Sequence, residues 1–211
     1  MAHIPDGVLA APVLVGGAII SGIALWFALG RLDYERIPQA AVLSSVFFIS
    51  SLVSIPVGPS SVHLLLNGLM GVVLGWAAVP ALLVALLLQA VFFGYGGLLV
   101  LGVNTLNMAL PALVCAALFS RPLRSEDCRR PFLLGALAGG LGVILSGAMV
   151  GLSIALSGAV FLPAAKVIVV TYLPLVVAEA AVTGAAVAFL RRVAPELLLP
   201  GVSGVPGMER I

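Results

Sequence analysis

Apolar stretches long enough to cross a bilayer follow one another along almost the whole chain, separated only by short breaks of proline, glycine and charged residues. Charged residues make up 9% of the sequence, whereas a soluble domain carries about 25%. So few charges cannot cover the surface of a globular domain, and lipid must therefore be the solvent of this chain. We predict an all-α integral membrane protein built as a seven-transmembrane-helix bundle.

A bilayer crossing needs about 20 residues, and seven segments of the sequence are candidates for one. Residues 40–57 and 80–93 are short, and the breaks at Gly58-Pro59, at Pro80 and at residues 94–97 are brief. Helices interrupted at glycine and proline also occur as re-entrant segments that line a site. The other candidates are residues 8–29, 62–78, 98–119, 132–156 and 165–189.

The positive charges divide unevenly between the two sides of this arrangement. With seven spans and the N-terminus outside, only Lys166 of the ten lysine and arginine residues falls outside. The positive-inside rule predicts such an asymmetry, so we expect a multi-pass protein of the cell membrane with a cytoplasmic C-terminus. The chain is then one domain, residues 1–211, with an N-terminal segment (1–7), the spans (within 8–192) and a cytoplasmic tail (193–211). The nine cytoplasmic charges are Arg31, Arg36, Arg121, Arg124, Arg129, Arg130, Arg191, Arg192 and Arg210.

The N-terminal sequence Met-Ala-His-Ile-Pro-Asp-Gly, residues 1–7, is a potential chelator placed directly before the first span. A terminal amine, deprotonated backbone amides and the imidazole of His3 can close fused rings around one metal ion. Four nitrogens in a plane suit Ni(II) or Cu(II) and suit Mg, Ca or Zn badly. The second of the two histidines in the sequence is His63, and the predicted topology puts both histidines at the outer face of the membrane.

The ligand set depends on whether Met1 is removed. Without Met1, the amine of Ala2 and the backbone and ring nitrogens of His3 supply three ligands, and His63 can fill the fourth position. With Met1 retained, the amine, two amides and the imidazole complete the plane without His63. Pro5 has no amide proton, so the chelate cannot extend past it. The ordinary alternatives are a disordered terminal His3 and a His63 that is only a polar residue at a helix start or in the core.

Polar residues within the predicted spans could support a metal site. Asn104 and Asn107 lie one turn apart on one face of the fifth span. They could orient a ligating imidazole, as metal-bound histidines usually require, or form hydrogen bonds between helices. Gln89 in the fourth span presents the same two alternatives.

Three further polar residues have a functional and a structural interpretation. Asp6 could orient His3 or only form the turn with Gly7, and Ser61 could position His63 or cap a helix. Glu179 is the only acid well inside a predicted span, and an intramembrane carboxylate is a functional candidate. It could lie on the path of the metal or pair with a partner subunit, or it could be protonated and hydrogen-bonded to a backbone carbonyl.

The sequence lacks the motifs typical of several functions. It has no GxxxxGK[ST] motif for nucleotide binding, no HExxH motif of an intramembrane metalloenzyme and no basic, aromatic-rich patch for binding nucleic acid. Cys115 and Cys128 have no metal-ligand spacing. A stand-alone secondary metal transporter would require charged residues along several spans or an internal repeat. We therefore expect a non-enzymatic protein without a cofactor.

Specific motifs in the first half of the chain resemble a known family. The motifs HIPDG at residues 3–7 and GPSSVHLL at residues 58–65 resemble the nickel/cobalt substrate-binding S component of energy-coupling factor (ECF) transporters. The run LQAVFFGYGGL at residues 88–98, with LGVN at 101–104 and NMA at 107–109, is also similar to that family. The C-terminal half matches only in span count and in its richness in small residues.

The resemblance implies a seven-helix bundle with the N-terminal segment inserted into its centre as part of the metal site. It also implies that the metal is bound by the terminal amine, by backbone and side-chain nitrogens of an N-terminal histidine, and by one further histidine. These ligands carry over to Ala2, His3 and His63. The usual start of the family is Met-His, and removal of Met1 would restore that spacing here. Tyr95, where an acidic residue is common, is a smaller departure.

The resemblance further implies the biological role. The chain would capture Ni²⁺ or Co²⁺ at the outer face of a bacterial or archaeal cell membrane for ATP-driven uptake, with nickel weakly preferred. The implied partners are the ECF ATPase subunits, a transmembrane coupling (T) subunit and a small accessory membrane subunit. The alternative is cobalt uptake for cobalamin synthesis. The small-residue spacings Ala18-x3-Gly22 and Gly135-x3-Gly139 could pack helices within the chain or dock the coupling subunit.

Overall fold

The computed structural model describes residues 3–52, 55–57, 60–125, 128, 130–158 and 162–198. Its architecture is helical, with one antiparallel hairpin of two three-residue strands in which Ile55 pairs with Val62. This confirms the predicted α-helical membrane protein. In chain order the elements are α1 (Ala11–Leu29), α2 (Ile37–Ser50), β1 (Ile55–Val57), β2 (Ser60–Val62), α3 (Asn67–Leu74), α4 (Ala78–Phe93), α5 (Leu101–Arg124), α6 (Pro131–Ser157) and α7 (Leu162–Val193).

Five helical segments of the described residues are long and apolar enough to cross a membrane. Three helices are shorter than the about 20 residues that a crossing needs: α2 has 14 residues, α3 has eight and α4 has 16. The segment Asn67–Phe93 contains both α3 and α4. A multi-pass membrane protein is therefore confirmed, whereas the count of seven spans stays a prediction. The five segments are Ala11–Leu29, Asn67–Phe93, Leu101–Arg124, Pro131–Ser157 and Leu173–Val193.

Large apolar side chains cover the outside of the helices. Trp26 and Leu99 are each 71% exposed, Val177 is 70% exposed and Phe92 is 68% exposed. A soluble monomer rarely exposes apolar patches of such extent. The outer surface of the bundle therefore suits contact with lipid, as the low charge content predicts.

The chain between α2 and α3 departs from the predicted helices. We expected helices over residues 40–57 and 62–78, but α2 ends at Ser50 and α3 begins only at Asn67. Pro56 in β1 has no N–H to donate to a helix. Leu66 has a φ of 47°, in the left-handed region that a helix cannot contain. Residues 63–66 are consequently a non-helical stretch inside an apolar run.

Helix α3 lies inside the bundle and leads into α4 through a sharp turn. All eight of its residues are buried, and Gly75, with a φ of 59°, separates it from α4. Residues 74–77 line one cavity together with Arg31 after α1 and with Arg121 and Arg124 at the end of α5. The turn between α3 and α4 therefore lies at the same end of the molecule as these arginines.

The small-residue spacings pack helices of this chain against each other. A Cβ added at Gly135 would lie 2.7 Å from the Val187 side chain, and one added at Gly139 would lie 2.6 Å from the carbonyl oxygen of Glu179. The 135–139 spacing thus serves the contact between α6 and α7. In the other spacing, Gly22 has no atom within 4 Å of an added Cβ, so that face of α1 is open at this position.

Substitution of Gly71 by alanine is expected to lower the free energy of unfolding by about 1–3 kcal/mol, the usual range for overpacking. The added methyl group would fall on the backbone of Ala112 in α5, and the two helices would have to move apart. Thermal unfolding in detergent measures this change.

Gly22→Ala is the matched control, since its added methyl group has no neighbour within 4 Å and alanine is the better helix residue. Its melting temperature is expected to equal or exceed that of the unmodified chain. Equal melting temperatures for the two variants would show that α3 and α5 do not depend on this close approach.

Candidate metal centre

His3 and His63 lie in contact, although they are 60 residues apart in the chain. Their Nε2 atoms are 3.2 Å apart, their ring centroids are 5.1 Å apart, and each side chain is 4% exposed. The structure therefore brings the two imidazoles together at one buried place.

The hydrogen bonds assign a tautomer to each ring. The Nδ1 atom of His63 lies 2.9 Å from the carbonyl oxygen of Leu64, and because a carbonyl only accepts, Nδ1 carries the proton. The Nε2 atom of His63 is then left with its lone pair, which accepts from the Nε2–H of His3. A metal-binding histidine usually has its other ring nitrogen donating in this way.

The remaining ring nitrogen of His3 is buried without a partner. Its Nδ1 atom makes no hydrogen bond to any described residue, and buried polar atoms are seldom left so. A chelate that includes the backbone nitrogen of His3 must use Nδ1, because Nε2 cannot reach that nitrogen within one residue. The unpartnered atom is thus the one that an amine–amide–imidazole chelate requires.

Burial keeps both imidazoles neutral. Burial, with smaller contributions from His63 and the N-terminal amine, lowers the pKa of His3 from 6.5 to about 3. Burial also lowers the pKa of His63, opposed by its hydrogen bond to Leu64, which raises it. Neutral imidazole is the form that binds a metal, so at neutral pH protons do not compete for these two rings.

The N-terminal segment is tied to the start of α5 by two side chains. Asn104 accepts from the backbone N–H of Ile4 at 3.2 Å and donates to the Ile4 carbonyl oxygen at 3.1 Å. The Asp6 carboxylate accepts from the N–H of Val100 at 3.0 Å, and the Asp6 N–H donates to the Gly96 carbonyl at 3.2 Å. Asn104 and Asp6 therefore hold the backbone next to His3 and contact neither imidazole.

Glycines in the turn between α4 and α5 let the N-terminal segment approach. Gly96 has a φ of 78°, and an added Cβ there would lie 2.8 Å from Nδ2 of Asn104 and 3.4 Å from Cβ of His3. A Cβ added at Gly97 would fall on the Asp6 carboxylate. The glycine-rich motif at residues 94–97 is thus the surface against which the first residues lie.

Glu179 of α7 anchors the chain beside His63. Its Oε1 atom accepts from the backbone N–H groups of Leu65 and of Leu66, the latter at 2.9 Å, and its side chain is fully buried. The predicted hydrogen bond to a backbone carbonyl is not formed with any described residue, because Oε1 accepts from amides and Oε2 has no partner there. Leu65 and Leu66 are not in a helix, so their amides have no hydrogen-bond acceptor within a helix.

The other predicted supporting residues occupy different places. The Oδ1 atom of Asn107 accepts from Ser153 of α6 at 3.2 Å, which is a contact between helices. The side-chain amide of Gln89 is fully buried and has no partner among the described residues. Ala2 and the side chain of Ser61 lie outside the described residues.

Two features of the site escaped the sequence analysis. Asn67 at the start of α3 is fully buried and donates to the hydroxyl of Ser146 at 2.7 Å, which links the chain after His63 to α6. The anchoring role of Glu179 was also missed, although a lone carboxylate in a span was the available signal. Among the described residues, no three or more histidine, cysteine, aspartate or glutamate side chains group as a metal site.

Comparison with known proteins agrees with this geometry. A putative metal transport protein of Haemophilus influenzae is 37% identical over 198 residues, which cover 93% of this chain and 96% of the relative. A fused nickel transport protein, NikMN, of Rhodobacter capsulatus is 32% identical over 94% of this chain, which spans 64% of that longer relative. A putative cobalt transport protein, CbiM 1, of Methanocorpusculum labreanum is 30% identical over 90% of this chain and 84% of the relative.

A solved structure shares the fold. The crystal structure of a transition metal transporter superposes with a TM-score of 0.78 at 26% identity, over 90% of this chain and 93% of that one. The family described as CbiM, cobalt uptake substrate-specific transmembrane region, matches residues 3–197. The relatives are named as transport proteins, which agrees with a non-enzymatic role. The chain therefore belongs to the CbiM family and is a nickel/cobalt-type component of a metal uptake transporter.

Proposed function

We propose that this chain is the substrate-specificity (S) component of an ECF-type importer and that it captures one Ni²⁺ ion at the outer face of the membrane. The observation that carries the proposal is the contact between the two histidines of the sequence, buried together with their Nε2 atoms 3.2 Å apart. Two neutral, buried imidazoles in contact provide lone pairs for a transition metal in a site closed to bulk water.

The proposed ligands are four nitrogens in one plane. They are the amine of Ala2 after removal of Met1, the backbone nitrogen and Nδ1 of His3, and Nε2 of His63. The unpartnered Nδ1 of His3 supports this set. Nε2 of His63 would bind the metal in place of its hydrogen bond to His3. Asn104 and Asp6 would then act as positioning residues that hold the chelating segment in place.

The proposed topology has seven passes with the N-terminus outside. The short helices α2 and α3 would each count as one pass, which makes seven with α1, α4, α5, α6 and α7. The non-helical residues 63–66 would lie in the outer half of the bundle. The shared cavity that joins Arg31, Arg121 and Arg124 at one end of the molecule supports a common cytoplasmic side. The N-terminal segment would then be inserted from the opposite face.

Energy for uptake would come from partner subunits. The sequence has no nucleotide-binding motif of its own, so ATPase subunits acting through a transmembrane coupling subunit, with a small accessory membrane subunit, are the proposed partners. Nickel accumulation in vesicles that contain this chain alone would contradict this part of the proposal.

Cobalt is the second candidate substrate. The matching family is described as a cobalt uptake region, and relatives are named for nickel and for cobalt. A planar set of nitrogens favours Ni(II), and uptake of Co²⁺ would serve cobalamin synthesis. Competition between the two ions for the purified chain decides between them.

The substitutions His3→Ala and His63→Ala are each expected to abolish high-affinity nickel binding, because each removes a ring nitrogen from the plane. Isothermal titration of the purified chain, with its native N-terminus confirmed by mass spectrometry, measures the affinity. Thermal unfolding of the same samples shows whether the fold is retained.

Undiminished nickel binding by the His63→Ala variant would overturn the four-ligand set. It would mean that Met1 is retained and that the terminal tripeptide completes the plane alone. A chain extended before Met1 by a few residues is the complementary test, because it displaces the amine and leaves both histidines in place.

Nickel affinity is expected to rise with pH between about pH 6 and about pH 8, by at least about tenfold per unit. The amine, with an ordinary pKa of about 7.7–8.0, and a backbone amide must both lose a proton when the metal binds. The pKa of His3 is about 3, so its imidazole is already neutral over this range, and burial lowers the pKa of His63 in the same direction. A pH-independent affinity would indicate a site made of the two imidazoles without the amine.

Gly96→Ala is expected to weaken nickel binding by about tenfold or more, because the added methyl group would push away the side chain of Asn104 and the start of the chain. Gly94→Ala is the matched control. Gly94 has a similar φ of 65° but no neighbour within 4 Å of an added Cβ, so it introduces comparable backbone strain without the contact. Equal nickel affinities for the two variants would contradict the anchoring role of this turn.

A further inference from the structure

A cavity lined by several charged residues lies at the opposite end of the molecule from the histidines. It has a volume of about 650 Å³ and lies between the end of α1, the start of α2, the turn between α3 and α4, and the end of α5. Four arginines and one aspartate line it. They are Arg31, Arg36, Arg121, Arg124 and Asp33.

Three of these arginines are held in place by the protein. Arg31 lies over the Trp76 ring, with its guanidinium carbon 4.9 Å from the ring centroid. Arg36 donates to the carbonyl oxygen of Val73 at 2.7 Å. Arg124 donates through Nε to the carbonyl oxygen of Leu198 at 3.0 Å. Among the described residues, all three of these contacts are to neutral groups.

The positive charges are also close enough to repel each other. Arg36 and Arg124 oppose each other electrostatically, and Asp33 is the single acid in the lining. The Asp33 carboxylate accepts from the backbone N–H of Glu35 at 3.1 Å, so one of its oxygens already has a partner. An anion bound in the cavity would relieve this repulsion, and a guanidinium is well suited to phosphate oxygens.

An apolar groove continues from the charged cavity along the outside of the helices. It has a volume of about 240 Å³, lies between α1, α4 and α5, and shares Trp76 and Leu113 with the charged cavity. Its walls include side chains that face outward: Ile23 is 52% exposed, Phe27 is 45% exposed and Leu110 is 42% exposed. The groove is therefore open towards the acyl chains of the bilayer.

We propose that the charged cavity and the groove together bind one anionic glycerophospholipid. The phosphate lies among the arginines, and an acyl chain lies in the groove beyond Trp76, whose ring occupies the headgroup level as tryptophans at membrane interfaces do. Basic cavities between transmembrane helices on the cytoplasmic side bind anionic headgroups. This lipid site does not depend on the proposed metal site. It requires only that the arginines lie together at one membrane surface.

The continuity of the two cavities selects a lipid over other anions. Free phosphate would fill the charged cavity but would gain nothing from the groove. A partner protein would have to present an acidic and several apolar side chains at this spacing to use both parts. A phospholipid matches both parts, since it joins a phosphate directly to acyl chains.

Native mass spectrometry of the full chain in detergent tests the proposal with phosphatidylglycerol and phosphatidylcholine as probes. We expect one phosphatidylglycerol to remain bound at activation energies that remove phosphatidylcholine. The double substitution Arg31→Gln with Arg121→Gln removes two charges while sparing Arg36 and Arg124, which bond to the backbone. It is expected to weaken phosphatidylglycerol binding by roughly 30-fold.

Two further variants distinguish the effect of this cavity on lipid binding from the effect of the total charge of the protein. Arg192→Gln removes an exposed arginine of α7 outside the cavity lining and is expected to bind the lipid like the unmodified chain. Ala117→Phe fills the cavity from its own lining without changing any charge, and is expected to lose the lipid. Nickel binding by each variant reports that the fold at the other end is intact.

Equal binding of phosphatidylglycerol and phosphatidylcholine, or equal binding by all of these variants, would overturn the proposal. Inorganic phosphate that displaces the lipid completely at millimolar concentration would show a simple anion site and would also overturn it. Loss of the lipid in Ala117→Phe together with retention in Arg192→Gln supports it, even if the double arginine variant does not fold.

Discussion

Inside a membrane protein, the backbone N–H and C=O groups of non-helical residues must form hydrogen bonds with other protein groups, because no water is available there. The histidine site depends on this constraint. Asn104 bonds both polar groups of Ile4, and Glu179 accepts from the amides of Leu65 and Leu66. Each bonded residue lies one to three positions from a histidine. The contacts that satisfy the backbone therefore also fix the place of each imidazole.

The same burial that makes this bonding necessary prepares the imidazoles chemically. Desolvation depresses the pKa of both histidines, so both rings are neutral at neutral pH. The hydrogen bond from Nδ1 of His63 to Leu64 makes Nε2 the nitrogen that would coordinate a metal. The glycines at positions 96 and 97 have no side chain, so the N-terminal segment can approach closely enough for His3 to contact His63. Fold and coordination chemistry thus depend on a few contacts at the non-helical segments.

The sequence predicted the helices that are apolar along their whole length and bounded by charged or glycine-rich breaks. The expected span 132–156 differs from α6 (Pro131–Ser157) by one residue at each end. The helix prediction failed at residues 51–52, 55–57 and 62–66, because hydrophobicity alone does not distinguish a helix from a buried non-helical stretch. The left-handed Leu66 and the amide bonds to Glu179 are tertiary features that no local pattern encodes.

The candidate site was partly predictable for a similar reason. Charge asymmetry put His3 and His63 at one membrane face, and the structure brings them into contact. Asn104 and Asp6 were expected to orient an imidazole. Instead, each forms hydrogen bonds with nearby backbone groups that have no partner within a helix. The sequence did not show which backbone would pass there. The ligation of a metal by Ala2, His3 and His63 stays a prediction.

X-ray absorption spectroscopy at the nickel edge, on the purified chain loaded with one equivalent of Ni²⁺, tests the central claim most directly. The account predicts a planar, four-coordinate ion with nitrogen ligands only and with scattering from two imidazole rings. A six-coordinate ion with oxygen ligands, or scattering from a single imidazole, would contradict the joint ligation of the metal by His3 and His63.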